Sequence, residues 1–149
     1  MPPASSAVEA HATVTSVYRC KVAWGECDPA GIIFYPTYFH WFDSATWQLF
    51  ALVGLPMLRL LAEGNMMPLV AADIRFHSPA KPGDDCEVRT RIDRWGGKSF
   101  VVAHEVYRAD GELLATGSET RVWICKLEGV TGPMTAQTIP EDLKARFRA

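Results

Sequence analysis

One carboxylate in this chain stands where acyl-transfer chemistry would need it, within the segment WGECDPAGIIFYPTYFHWFD at residues 24–43. Asp28 lies in a loop interrupted by Pro and Gly, which end whatever element precedes them. Pro36 suits the first position of a helix, because its missing N–H leaves no donor unpaired there. The first N–H groups of a helix have no partner within it. The segment therefore sets a base or nucleophile beside donors suited to a developing oxyanion.

The rest of the chain supplies one long helix and several strands to position this segment. Alternation of apolar and polar residues predicts a strand from Val14 to Trp24, and a helix is predicted from Pro36 to about Val53. Further strands are predicted at about 70–76, 88–92, 100–106 and 114–126, with a short turn at 57–62 and a loose terminal helix at 141–148. The helix is apolar almost all round, so a sheet must enclose it. We predict an α+β fold in which an antiparallel five-stranded sheet wraps around one long central helix.

Composition excludes several classes of function. The 149 residues suit one domain, expected at 13–149 after a flexible arm at 1–12. The net charge of −2 gives no general attraction to nucleic acid or anionic membranes, and no apolar run is long enough to cross a bilayer. The N-terminus lacks the basic start and apolar stretch of a secretory signal, so we expect a cytoplasmic protein.

The cysteines and histidines do not form a recognisable metal motif. The four cysteines (Cys20, Cys27, Cys86 and Cys125) lack CxxC spacing and paired histidines, so we predict no metal and no other cofactor. Cys27 adjoins Asp28, but no base is near it in the sequence, and a small half-buried hydrophobe is the favoured interpretation. His77 and His104 are interpreted as strand residues without a chemical role.

The segment at 24–43 resembles the signature of hotdog-fold thioesterases of the 4-hydroxybenzoyl-CoA thioesterase type. The resemblance continues through Gly54-Leu55-Pro56, the strand after Pro68 and the sequence RWGGKSF at 94–100. It implies an enzyme that hydrolyses acyl-CoA thioesters as a homodimer or homotetramer of hotdog protomers. It also implies that Asp28 is the catalytic aspartate and that the backbone N–H of Tyr35 polarises the thioester carbonyl.

A second set of residues is predicted to bind the substrate: Trp24, Gly31, Thr37, His40, Asp43 and Lys98. Trp24 adjoins the loop and is expected to wall the acyl pocket. The resemblance gives Asp43 an acidic position on the central helix and puts Lys98 in the segment that contacts CoA phosphates. Asp43 is equally consistent with a hydrogen-bonded helix residue. Thr37 stands where an Asn is usual, and Gly96-Gly97 replaces basic residues, so the phosphate-binding pattern of the family is incomplete here.

The residues leave the acyl group, the carrier and the chemical route open. An aromatic lining suits an arylacyl group as well as a short or branched aliphatic chain, and an acyl carrier protein is an alternative to free CoA. Asp28 would either attack the carbonyl or draw a proton from water. A hotdog dehydratase is disfavoured, since no histidine accompanies Asp28 in the loop. A non-catalytic acyl-CoA-binding protein is a further alternative.

Assembly is predicted from the edges of the sheet. A single curled sheet leaves its edge strands unpaired, and unpaired edges favour pairing between two protomers. In such a dimer the pocket is expected at the interface, with Asp28 of one protomer near Lys98 of the other.

Overall fold

One strand near the start of the chain and four strands between residues 69 and 122 form one antiparallel sheet. The structure, a computed structural model, describes residues 12–125 and 135–149. The strands are β1 (Thr15–Lys21), β2 (Leu69–Phe76), β3 (Asp85–Trp95), β4 (Ser99–Arg108) and β5 (Leu113–Val122), and they pair in the order β1-β3-β4-β5-β2. The helices are α1 (Pro36–Leu52), α2 (Met57–Ala62) and α3 (Glu141–Ala145), with a 3-10 turn at Trp24–Glu26. The sheet packs against the single long helix α1, which is the hotdog arrangement predicted from the sequence.

The core lies between α1 and one face of the sheet, because every second residue of β3 and β4 points toward the helix. Near the start of α1, Tyr38 and Phe42 pack with Val88 and Val106. Near its end, a second cluster forms around Leu49, Phe50, Phe100, Ile139 and Phe147. The opposite face of α1 stays exposed and carries His40, Asp43, Ser44 and Gln48. The sheet therefore covers the apolar side of the helix and leaves this polar side exposed.

One glycine sets how closely α1 approaches the sheet. A Cβ on Gly117 of β5 would lie 2.4 Å from the Phe42 ring and 2.6 Å from the Asp73 carbonyl oxygen. Real Cβ atoms do not approach other heavy atoms so closely, so the ring and the neighbouring strand occupy the space of a side chain. Phe42 can then lie flat against the His104 ring, with centroids 4.3 Å apart.

Several element boundaries differ from the predicted ones. β1 ends at Lys21, and Trp24 belongs to the 3-10 turn. β5 ends at Val122; Ile124 then forms isolated bridges to Met66 and Ala136, where the sequence predicted a continuous strand. The terminal helix is limited to α3. Most of the predicted arm, residues 1–11, and the predicted strand end at Lys126 lie outside the described residues. Ala12, predicted as part of that arm, accepts a hydrogen bond from Ala149 N–H.

Candidate active site

The loop between β1 and α1 is held by backbone hydrogen bonds that fix Asp28. The Asp28 N–H donates to Ile32 O, and the Gly31 N–H donates to Asp28 O, both at 2.9 Å. Gly31 has φ of 75°, a left-handed conformation that glycine adopts at little cost. The Ile33 N–H donates to Ala80 O at 2.8 Å, which ties this loop to the segment after β2. The loop is therefore an ordered turn whose backbone conformation requires the Gly of the sequence motif.

The Asp28 carboxylate has one oxygen engaged and one available. Its Oδ1 accepts a hydrogen bond from the Ala30 N–H at 2.8 Å, the usual Asx-turn contact. No second partner of the carboxylate is found among the described residues. A single short bond to the backbone orients the group and leaves Oδ2 for another ligand.

The start of α1 leaves a backbone donor unpaired beside this carboxylate. Tyr35 is the N-cap of the helix, followed by Pro36 at the first helical position. The Thr37 N–H donates to Phe34 O at 2.9 Å, and the Tyr38 N–H donates to Tyr35 O at 3.2 Å. The Tyr35 N–H has no acceptor in the described part of the chain. An unpaired N–H at a helix start is suited to stabilise negative charge on an oxygen.

Asp28 and Tyr35 line the same cleft, which has a volume of about 350 Å³. Its other lining residues are Ile32, Ile33, Tyr38, Phe76, His77, Ser78 and Pro79. They come from the loop, from the first turn of α1 and from the segment that follows β2. A small, mostly apolar cleft with one carboxylate and one free backbone donor fits a compact acyl group whose carbonyl carbon is attacked.

The remaining predicted site residues are placed differently. Gly31 shapes the loop, and the Thr37 hydroxyl donates to Glu26 O at 3.5 Å, so both support the loop without lining the cleft. Trp24 is 83% exposed and does not line the cleft either. His40 lies on the exposed face of α1.

Lys98 lies at the far end of the sheet from the cleft. Phe76 and Val106 both pair with Ala115, so the cleft is beside the Val106 end of β4. Lys98 precedes the other end of β4, about 25 Å away at the usual rise per strand residue. Within one chain, therefore, Lys98 does not meet Asp28.

Asp43 belongs to a buried polar network that joins α1 to β3, β4 and β5. The centre of the network is Glu119, whose Oε1 accepts from Thr46 Oγ1 at 2.5 Å and from His104 Nε2 at 2.8 Å. Its Oε2 accepts from Arg121 at 2.6 Å. Arg121 also donates to Asp43 Oδ1 at 2.8 Å. Asp43 is thus a hydrogen-bonded helix residue, which was one of its two sequence interpretations; its role in binding substrate stays a prediction.

Burial and the neighbouring charges determine the protonation states of Glu119 and His104. Burial raises the pKa of Glu119, but the hydrogen bond from His104 and the charge of Arg121 outweigh it and bring the pKa to about 2. Burial lowers the pKa of His104 against the opposing effect of Glu119. A neutral His104 donates from Nε2 to Glu119 and accepts at Nδ1 from the Thr90 hydroxyl, 2.9 Å away. Both ring nitrogens are therefore satisfied without a charge on the ring.

Sequence reasoning missed several residues of the cleft and the network. His77 and Ser78 line the cleft, and His77 follows β2 rather than lying within a strand as predicted. His104 is a strand residue as predicted, and it also forms a hydrogen bond with Glu119. Alternation along β5 places Glu119 and Arg121 on the same side as the buried Trp123. That alternation is the sequence pattern from which their burial could have been predicted.

The cysteines offer no activated nucleophile near the cleft. Burial raises the pKa of Cys20 to about 12 and that of Cys86 to about 11. Desolvation and the neighbouring Asp28 raise the pKa of Cys27 as well. All three thiols stay protonated at neutral pH, so none of them is a ready nucleophile. Across residues 12–125 and 135–149, no group of three or more His, Cys, Asp or Glu residues is arranged to hold a metal. Nor is any helix there long and apolar enough to span a membrane.

Comparison with known protein families agrees with this fold. The family model described as the Thioesterase-like superfamily matches residues 22–147. The match covers most of the chain, and the chain belongs to this superfamily. As the sequence resemblance implied, its structural relatives include thioesterases named for CoA thioesters.

Two individual relatives are informative. The chain is 34% identical over 110 residues to the 4-hydroxybenzoyl-CoA thioesterase of Pseudomonas sp. strain CBS-3, covering 69% of this chain and 78% of that protein. The solved structure of that enzyme superposes with a TM-score of 0.80 at 30% identity, covering 91% of this chain and 99% of the other. The structure of the gentisyl-coenzyme A thioesterase BH1999 superposes with a TM-score of 0.77 at 31% identity, covering 87% and 99%.

Proposed function

We propose that this thioesterase hydrolyses an acyl-CoA through Asp28 and the Tyr35 backbone N–H. The observation that carries the proposal is their arrangement in one cleft. Asp28 keeps a free carboxylate oxygen, and the Tyr35 N–H at the start of α1 keeps a free hydrogen. Hydrolysis of a thioester requires a base or nucleophile on one side of the carbonyl carbon and a donor for the carbonyl oxygen.

Two routes use the same groups. In the first, Asp28 takes a proton from a water molecule while the oxygen of that water bonds to the carbonyl carbon. Negative charge then develops on the carbonyl oxygen, which faces the Tyr35 N–H. The C–S bond then breaks, and the thiolate of CoA takes up the proton. In the second, Asp28 Oδ2 itself bonds to the carbonyl carbon, CoA leaves, and water hydrolyses the resulting anhydride. Both routes need an ionised Asp28 and a free Tyr35 N–H.

The cleft favours an aromatic acyl group over an aliphatic one. Tyr38 and Phe76 form part of its wall, with ring centroids 5.9 Å apart, and Ile32, Ile33 and Pro79 complete the apolar lining. The two relatives described above act on 4-hydroxybenzoyl and gentisyl thioesters, which carry hydroxylated benzoyl groups. We therefore infer a benzoyl-type acyl group attached to CoA.

Assembly as a homodimer through β2 is part of the proposal. β2 pairs with β5 on one side only, and Leu69, Val70 and Phe76 are about half exposed. A long, partly apolar edge strand is suited to pair with the same strand of a second copy around a twofold axis. The cleft adjoins the end of β2, so a second copy paired along β2 would supply a further wall of the cleft. In such a dimer, Lys98 would contact the phosphates of a CoA bound in the cleft of the partner, not in the cleft of its own chain.

Release of CoA, followed with a thiol reagent, tests the catalytic part of the proposal. We expect turnover of benzoyl-type acyl-CoAs above that of short and long aliphatic ones. Asp28→Asn should lower kcat by about 10²- to 10⁴-fold, because the free oxygen can no longer act as base or nucleophile. Near wild-type turnover by a folded Asp28→Asn variant would remove Asp28 from the mechanism.

The same assay separates the alternative functions. Hydrolysis of an acyl group on acyl carrier protein, with none on CoA, would identify the carrier protein as substrate. Tight acyl-CoA binding without any turnover would support a binding protein instead. Light scattering tests the assembly, since a fully active monomer would contradict the dimer. The expected cytoplasmic location stays a prediction that cell fractionation can check.

A further inference from the structure

Two of the free cysteines lie directly opposite each other in the sheet. Cys20 of β1 pairs with Cys86 of β3 in the antiparallel register. Directly opposite residues point to the same face of a sheet, and both side chains pack in the apolar cluster that contains Tyr38 and Val88. Burial and, after it, the nearby Cys86 thiol raise the pKa of Cys20, so the two thiols are neighbours. This part of the sheet therefore holds a pair of thiols rather than two isolated cysteines.

The backbone geometry of the pair is compatible with a disulfide bond. The Val22 N–H donates to Asp84 O at 2.9 Å, and hydrogen-bonded pairs recur at every second residue of an antiparallel ladder. Cys20 and Cys86 therefore form a hydrogen-bonded pair, in which the Cα atoms are about 5.5 Å apart. Disulfides join Cα atoms that are about 4.4–6.8 Å apart. Closing the bond thus requires no change of register between β1 and β3.

The side chains need a small adjustment to form this bond. Cβ atoms of directly opposite residues are about 4.5–5.5 Å apart, whereas a disulfide holds them at about 3.5–4.5 Å. β1 lies at the edge of the described sheet, so it can approach β3 without displacing another strand. The Cys86 thiol makes a weak contact with Asp84 O at 4.0 Å, which does little to hold its orientation. The resulting bond carries some strain, and strained disulfides are readily reduced again.

A small oxidant has access to the pair. Cys20 is half-buried, and Cys86 is 5% exposed. Both line a surface cavity of about 380 Å³, whose other lining residues are Arg19, Lys21, Asp85, Glu87 and Ala109. Cys20 is the more exposed of the two, so it is expected to react first and Cys86 second.

We propose that Cys20 and Cys86 are a redox-sensitive pair that closes to a reversible disulfide between β1 and β3. The inference is independent of the proposed hydrolysis and goes beyond it. With oxidised glutathione as the oxidant, the Cys20 thiolate bonds to one glutathione sulfur, and the other glutathione leaves as a thiolate. The Cys86 thiolate then bonds to the Cys20 sulfur and displaces the second glutathione. Two protein thiols are oxidised, one glutathione disulfide is reduced, and each departing glutathione takes up the proton that a cysteine has lost.

The protonation of the thiols determines how fast the bond forms. Both thiols are protonated at neutral pH, so the first step follows the small thiolate fraction and is slow. The second step is intramolecular, because Cys86 already lies opposite Cys20. Slow, reversible oxidation of this kind is compatible with a reducing compartment, where protein disulfides are transient and redox-sensing.

The experiment treats the folded wild-type protein with oxidised glutathione at mildly alkaline pH, which raises the thiolate fraction. Mass spectrometry of a non-reduced digest should show the Cys20 peptide linked to the Cys86 peptide. Two of the four thiols of the chain should be lost, and excess reduced glutathione should restore both. The linked protein should unfold at a midpoint about 3–10 °C higher, because the bond restricts the unfolded chain.

Two variants serve as controls. The double variant Cys27→Ser/Cys125→Ser keeps the pair and changes only cysteines outside the five strands, so it should behave as the wild-type protein does. Cys20→Ser removes one member of the pair, and it should show neither the linked peptides nor the higher midpoint. If Cys20→Ser fails to fold, the wild-type protein and the double variant still decide the question.

Several results would overturn the inference. One is a folded wild-type protein whose Cys20 and Cys86 stay reduced while the urea-unfolded protein is oxidised. Another is a reaction that stops at a mixed disulfide of glutathione with Cys20. A link that excess reduced glutathione fails to reduce contradicts its reversibility, and an unchanged midpoint contradicts a covalent connection between β1 and β3 in the native sheet. None of these results affects the proposed hydrolysis, and absence of acyl-CoA turnover does not affect the thiol pair.

Discussion

Two carboxylates close to α1, Asp28 and Glu119, differ in how fully their oxygens are hydrogen-bonded. Asp28 lies in the loop before the helix, where one backbone N–H holds one of its oxygens. Glu119 lies under the helix, only 2% exposed, and three side chains hold both of its oxygens. The first group keeps an oxygen for a substrate, whereas the second has none to spare.

The difference follows from the cost of leaving a charge unpaired. A buried carboxylate is tolerated only when its oxygens are fully hydrogen-bonded, which is the case for Glu119. Water can satisfy the free oxygen of Asp28 because the cleft is open. We infer that catalysis belongs to the loop and that the network fixes α1 over the sheet. Substitutions in the two regions should therefore separate activity from stability.

The largest expected effect on stability is at Glu119. Replacement of Glu119 by Ala leaves Arg121, His104 and Thr46 buried without their common acceptor. We expect the free energy of unfolding to fall by about 3–5 kcal/mol, as when one partner of a buried ion pair is removed. Urea denaturation measures this change. Glu141→Ala is the control, because Glu141 pairs with Lys144 at the surface and its side chain is 77% exposed. A loss no larger than that of the control would contradict a structural role for the network.

A smaller effect on stability is expected from acidification, which neutralises the Glu119 carboxylate but leaves its side chain in place. The folded pKa of Glu119, about 2, is below its ordinary value near 4.5, so the unfolded chain binds the proton more readily. The stabilisation is complete above about pH 4.5 and is lost as the pH falls toward 2. His104 acts in the same direction, since its folded pKa is also lowered and stability begins to fall below about pH 6.5.

Glu119→Gln separates these contributions in denaturation measured from pH 7 down to pH 2. The slope of stability against pH below 4.5 should become shallower in the variant than in the wild-type protein. Parallel curves would show that Glu119 is not the group responsible.

The packing between α1 and the sheet is tested at Gly117. In Gly117→Ala the added methyl group meets the Phe42 ring and the Asp73 carbonyl, and neither can move without shifting an element. We expect a loss of about 1–3 kcal/mol, typical of an overpacked core. Gly97→Ala is the control, because a Cβ there meets nothing within 4 Å. Thermal unfolding of the two variants side by side gives the comparison, and equal midpoints would count against the close approach of Phe42.

The smallest stability effect is expected at Asp28, although its effect on turnover is large. Asn at this position keeps the oxygen that accepts from the Ala30 N–H. The free energy of unfolding of Asp28→Asn should stay within about 0.5 kcal/mol of wild type, because the substitution leaves this hydrogen bond in place and buries no new group. A stability loss approaching that of Glu119→Ala would show that the two regions are not separate, and the loss of turnover could then not be assigned to chemistry.

Local sequence patterns determined the elements and the principal site candidate. Pro36 fixes where α1 begins, and the Gly-Leu-Pro sequence after Val53 fixes where it ends, because these residues restrict the backbone whatever surrounds them. Alternation determined β3 and β4 for the same local reason. The Asp28 loop was identifiable since its Pro and Gly act within a few residues of the carboxylate.

Tertiary structure decided which distant residues meet. The register of β5 brings Glu119 and Arg121 under α1, where they reach Asp43 and Thr46. Strand direction carries Lys98 away from the cleft. These relations depend on pairing between segments tens of residues apart, and no local preference encodes them. The sequence by itself thus determined where a carboxylate and a helix start adjoin. Only the packed structure decided which side chains surround them, because burial depends on what the whole sheet places around a side chain.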